Sequence, residues 1–120
     1  MEIVNLTPHP IRIIVSSTED IEGNSKHLLL LPSGIVARCT ETVQPCGELV
    51  VDQEFIVPIV RKSFGAVQGL PEPRNNTYYI TSALVAQAAW ALGRADVFAP
   101  GDLIRDENGT VIGCKSLCRG

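Results

Sequence analysis

Thr77–Leu117 reads TYYITSALVAQAAWALGRADVFAPGDLIRDENGTVIGCKSL, and the chain's clearest local signals follow one another along it. Thr77–Thr81 is β-branched and aromatic, which suits a pleated strand. Ser82 then stands where a helix N-cap is expected, its hydroxyl available to the free amides of the first turn. Ala83–Leu92 holds good helix formers and no Gly or Pro. Gly93 supplies the left-handed residue that ends a helix. Further on, Asn108-Gly109 separates Asp102–Arg105 from Thr110–Cys114, and Asn-Gly predicts a type I′ hairpin.

Within the helix only Gln87 is polar, and Ala occupies positions 83, 86, 88, 89 and 91. A surface helix shows a polar face, so this one is expected to be buried nearly all round. One helix in a short chain is hard to cover on every side. A homodimer seam along it is therefore the expectation.

Outward from this segment, the 120 residues fit one domain (1–120) with a single core. Hydrophobic residues make up 45% and charged residues 19%, a globular balance. A net charge of −3 gives no bulk attraction to DNA, RNA or an anionic membrane. No apolar run is long enough to span a bilayer. MEIVNLTPHP lacks the pattern of a signal peptide, so a cytoplasmic protein is expected. Cys39, Cys46, Cys114 and Cys118 have spacings unlike a zinc knuckle. They read as small hydrophobes, with no metal and no cofactor expected.

Earlier in the chain, Glu2–Leu6 and Ile11–Val15 read as strands around the corner Thr7-Pro8-His9-Pro10, where His9 is expected to bond a backbone group through its ring. Ser16–Lys26 reads as a solvated loop and His27–Leu31 as a strand. Ile35–Thr42 reads as a half-exposed strand, Pro45-Cys46-Gly47 as a turn, and Leu49–Val60 as a long strand broken near Pro58. Arg61–Asn76 and Gly93–Gly101 read as irregular. The total is about seven strands and one helix. The expected fold class is α+β, a mainly antiparallel sheet with one buried helix packed on it.

No Walker loop, dinucleotide fingerprint or zinc-protease motif is present. His9 and His27 are near no nucleophile pattern. Asp96, Asp102, Asp106 and Glu107 fall in turn-like contexts where acids cap amides. No catalytic set is self-contained, so a binder rather than an enzyme is expected. Seven arginines against three lysines favour planar bidentate donors for phosphate or carboxylate. Arg61, Arg94 and Arg105, with Phe64 and Phe98 as stacking surfaces, are the candidate ligand-binding residues.

Asn5–His9 (NLTPH), Tyr79–Ala89 (YITSALVAQAA), the Gly93–Asp96 stretch (GRAD) and Arg105–Cys114 (RDENGTVIGC) resemble small phage-borne proteins. The functional identity this resemblance points to is the first anti-Thoeris family. Its members act as sponges that sequester a cyclic ADP-ribose isomer made by bacterial TIR-domain enzymes. The resemblance implies a non-enzymatic binder acting in the host cytosol, with pockets at a homodimer interface. Some members assemble further and also bind cyclic oligonucleotides. Of the candidate residues, Arg105 alone matches a family pattern; Arg61, Arg94, Phe64 and Phe98 rest on local chemistry. Two other readings stand beside it. One is a nucleotide-processing enzyme using acids near Asp96 and Asp106. The other is a structural or regulatory phage protein that binds other proteins through its helix.

Overall fold

The computed structural model describes residues 1–16 and 25–120. Among them are eight strands and one helix: β1 Glu2–Asn5, β2 Ile11–Ser16, β3 Ser25–Leu30, β4 Arg38–Val51, β5 Phe55–Gln68, β6 Thr77–Ile80, α1 Ala83–Ala91, β7 Val97–Arg105 and β8 Val111–Cys118. Six strands form one sheet in the order β1-β6-β7-β8-β2-β3, and β4 and β5 form a separate two-stranded ribbon. The α+β class stands. The sheet, however, is mixed rather than mainly antiparallel: β1–β6, β6–β7 and β2–β8 pair in parallel.

The parallel pairing follows from the segment that opened the sequence. β6, α1 and β7 form a strand–helix–strand unit, because a helix returning over the sheet brings the next strand in parallel. Tyr79 N donates to Asp96 O at 2.9 Å and Thr81 N to Phe98 O at 3.0 Å, zipping β6 to β7. Val97–Gly101 is therefore strand, despite Pro100 and Gly101. At Gly101 the strands lie close, since a Cβ would stand 2.5 Å from Cys118 Sγ on β8 and displace that side chain.

Ser82 caps α1, accepting from Val85 N at 3.4 Å, and Gly93 follows the helix at φ +87°. Val85, Ala86 and Ala89 are buried against Leu6, Ala37, Tyr79, Val97 and Ala99. The small alanines let helix and sheet backbones approach closely. The opposite face, with Leu84 and Gln87, is exposed, so the helix is covered on one side only. The β7–β8 hairpin is present, but its loop differs from type I′. Asp106 N donates to Thr110 O, Gly109 N to Asp106 O, and only Gly109 takes a positive φ. That is a three-residue loop with a glycine bulge. The Asp106 carboxylate selects it by accepting from both Asn108 N and Thr110 N.

The largest departure from expectation is the ribbon. Residues 61–68, read as loop, are strand, and Pro45-Cys46-Gly47 is a bulge within β4 rather than a turn. The reversal lies at Asp52 and Gln53, both at positive φ, with Glu54 N donating to Val51 O. Prolines are tolerated because each ribbon strand has one edge that needs no ladder donor. The ribbon root is clamped in the core: Ala37, Cys39, Val67 and Leu70 pack with α1. The rest projects. The radius of gyration is 18.8 Å and the longest extent 66 Å, whereas a compact chain of this length has a radius of about 14 Å.

At the other corner, the NLTPH stretch closes around Asn5, which is 1% exposed. Its amide donates to His9 O at 2.8 Å and Leu30 O at 3.0 Å, while its Oδ1 accepts from Thr7 N and Thr7 Oγ1. Among the described residues the histidine thus contributes its carbonyl to the corner, and its ring makes no bond there. Most of the expected Ser16–Lys26 loop lies outside the described residues.

Candidate functional site

α1 covers one face of the sheet, leaving Tyr78 and Phe98 on the other. Strand alternation decides this: Tyr79 turns into the core under the helix and is fully buried, so Tyr78 turns outward. Parallel pairing places Ile80 opposite Phe98, two residues from Tyr78 and on the same face of the sheet. The Tyr78 and Phe98 rings lie 5.6 Å apart at an interplanar angle of 50°. Ile3 from β1 and Leu117 from β8 extend this apolar floor, and Met1, Ala95, Asp96 and Arg119 rim it. Together they line an open depression of about 560 Å³, within the size range of small-molecule sites.

Arg119 reaches a second, smaller depression of about 170 Å³, shared with Trp90, Gly93, Arg94, Ala95 and Gly120. The Trp90 indole is fixed by donating to Val97 O at 2.8 Å. Aromatic faces and a guanidinium thus stand together around the start of β7. Such a set can stack a base and hold a phosphate. A third depression, of about 340 Å³, lies between Ile11, Leu29, Leu103, Val111 and Ile112. Arg12 is its only charged wall, so it suits an apolar group better than a nucleotide.

The sequence candidates scatter. Phe98 is in the aromatic floor. Arg94 borders the smaller depression, but three of its five N–H donors are already engaged. Its Nε and Nη2 donate to the two Asp96 oxygens at 2.9 Å, and Nη2 also donates to Pro71 O at 2.9 Å. The pair is only 18% exposed, and it ties Pro71, near the start of the 69–76 segment, to the α1–β7 turn. Arg105 is exposed on the β7–β8 hairpin and donates to Gly109 O at 2.8 Å. Arg61 and Phe64 lie on the exposed ribbon, opposite Gln44 and Glu41. These five residues therefore share no common depression. Tyr78 falls within the strand-like Thr77–Thr81 run, but Arg119 gives no signal in the sequence. It is remote from the aromatics in sequence and joins them only because β8 lies beside β7.

Hydrogen bonds from Arg94 hold the Asp96 carboxyl below its ordinary 3.8, with burial opposing. Because the folded value is the lower one, this contribution is complete above the ordinary value and is lost as pH falls through the folded one. Urea midpoints should therefore drop below about pH 4, and Asp96→Asn should flatten that drop while lowering stability at pH 7 by about 2 kcal/mol, the scale of lost hydrogen bonds to a charged group. Equal acid slopes for parent and variant would show that the pair does not control the transition.

Comparison with family models, with curated proteins and with solved structures finds no match. Among the described residues no group of three or more His, Cys, Asp or Glu is placed to hold a metal, and no helix is long and apolar enough to cross a membrane.

Proposed function

We propose that this protein is a phage immune-evasion binder that sequesters a cyclic ADP-ribose-type signalling nucleotide without degrading it. One observation carries the reading: the tilted Tyr78–Phe98 pair beside Arg119 on the sheet face that the helix leaves open. An adenine has a flat face for those rings, worth about 1–3 kcal/mol per stacked base. A pyrophosphate has paired oxygens for a guanidinium fork. The resemblance of the NLTPH, YITSALVAQAA and RDENG stretches to anti-Thoeris sponges selects a cyclic ADP-ribose isomer within that chemistry. It also brings cyclic oligonucleotides in as further ligands, the host cytosol as the place of action, and a homodimer or larger homo-oligomer as the working form.

The test is a melting shift and calorimetric titration with cyclic ADP-ribose isomers, followed by heating and mass analysis of the released ligand. Saturating ligand at about 100 times Kd should stabilise the fold by about 2.7 kcal/mol. Arg119→Ala should weaken binding by about 10- to 100-fold, the loss of one charge-assisted contact, and Phe98→Leu by a comparable factor. Arg105→Ala separates two placements. Undiminished affinity keeps the site on the aromatic floor, and a loss moves it to the hairpin. Release of altered nucleotide would replace the sponge with an enzyme, and the absence of any shift would reject nucleotide binding.

A further inference from the structure

We infer that Trp90 is a positioning residue for the open sheet face: it holds the chain just beyond β8 so that the Arg119 guanidinium falls beside the Tyr78–Phe98 pair, and through Arg119 it decides how firmly a ligand's phosphates are gripped. The phosphate role rests on the nucleotide reading proposed above, whereas the placement of Arg119 does not.

β7 supplies the anchor. Its Asp96 and Phe98 carbonyls accept from β6, so by alternation the Val97 carbonyl between them points toward β8. Ala99 pairs with Cys118, and the same antiparallel register would set Phe98 opposite Arg119 and Val97 opposite Gly120. The Val97 carbonyl accepts instead from the Trp90 indole at 2.8 Å, and β8 ends at Cys118. An indole has one donor, and committing it to Val97 fixes the ring beside the β7–β8 border.

Gly120 lies against that ring. A Cβ there would stand 2.7 Å from Trp90 Cγ, 2.8 Å from its Cβ and 3.0 Å from its Cδ2. Trp90 packs with the core under α1, so the side-chain direction of Gly120 is toward the helix side of the sheet. Successive residues alternate, which turns Arg119 to the opposite face. Leu117, two residues earlier, already lines the aromatic floor there. Arg119 is itself exposed and has no ion-pair partner among the described residues. Its reach is therefore set by the course of its backbone, which Trp90 and Gly120 fix. A guanidinium held in place loses less freedom on binding than one on a loose segment, and that difference appears as affinity.

Calorimetric titration with adenosine and with cyclic ADP-ribose separates the base from the phosphates. Trp90→Phe keeps an aromatic ring on the core but has no donor for Val97 O. Gly120→Ala alters only an exposed residue, which guards against misfolding. Each should weaken cyclic ADP-ribose binding about tenfold, the scale of one charge-assisted bond, and leave adenosine binding as tight as in the parent. In an Arg119→Ala background neither should have a further effect, the non-additivity of residues that act through one another. Nuclear Overhauser contacts without ligand read the placement directly. Arg119 side-chain protons should contact the Phe98 ring in the parent, as cross-strand neighbours do, and should lose that contact in both variants. If the parent binds neither probe, the nucleotide reading falls and these contacts alone decide the positioning. Contacts that are missing from the parent, or that persist in both variants, overturn it. So does equal weakening for adenosine and cyclic ADP-ribose, the mark of a merely structural residue, or a loss that adds in full to that of Arg119→Ala.

Discussion

Gly69→Ala is expected to lower the unfolding free energy by about 3 kcal/mol, one of the largest losses available to a single methyl group in this chain. Two costs add. Gly69 has φ +79°, and a Cβ there would stand 2.5 Å from Val36 O and 3.3 Å from Val36 C. The positive φ costs about 1–2 kcal/mol for an L-residue. The obstacle is backbone, and it cannot swing aside as a side chain would. Val36 precedes Ala37, which sits in the core and donates its N–H to Leu6 O at 3.0 Å. Any shift is thus passed to the root of the ribbon and the floor under α1. Gly109→Ala is the control, since it shares the positive φ (+81°) but meets nothing within 4 Å. It should cost only about 1 kcal/mol. Urea denaturation of the three proteins separates the terms, and equal losses at the two positions would show that the β5 end relaxes freely.

Asn5→Ala is expected to cost about 3 kcal/mol, because four hydrogen bonds converge on one buried amide. Removing it orphans the Leu30 carbonyl and the Thr7 amide, while the Thr7 hydroxyl keeps His9 O as an acceptor at 3.0 Å, and each well-buried orphan costs about 1 kcal/mol or more. Asn5→Asp is expected to be worse near neutral pH. A carboxylate keeps the acceptor side but faces two carbonyl oxygens where donors stood. Burial and those oxygens would raise its folded pKa, so protons bind the folded state more tightly. The variant's deficit should then grow as pH rises from about 4 to 7 and shrink on acidification. Melting curves across that range decide it, and a pH-independent deficit would mean that the corner opens to water. Thr7→Val, losing one hydroxyl, should cost only about 1 kcal/mol.

The same geometry explains what was legible. The strand at Thr77, the Ser82 cap, the helix end at Gly93 and the β7–β8 hairpin rest on contacts within a few residues, where side-chain chemistry speaks directly. Phe98 stands out in sequence as the aromatic of the irregular-looking Gly93–Gly101 stretch, and it lines the open sheet face. Arg94 carried the right charge, but its role depends on Asp96 and Pro71, and the Pro71 carbonyl comes from 23 residues earlier. The glycines and prolines around Arg61 and Phe64 read as a loop. The two are in fact strand residues held by pairing with β4.

Residue order alone determined the α+β class, the single capped helix and the absence of a local catalytic motif, since propensity, capping and turn chemistry act over short range. Pro45, Gly47 and Pro58 misled because breaker residues report lost ladder bonds, and a strand with a free edge has some it can lose. Only tertiary structure decided the parallel pairings, the open face that unites Tyr78, Phe98 and Arg119, and the projecting ribbon. Each of these depends on which distant strand fills a neighbouring place in the sheet. That choice is made by burial of the whole core rather than by any one stretch.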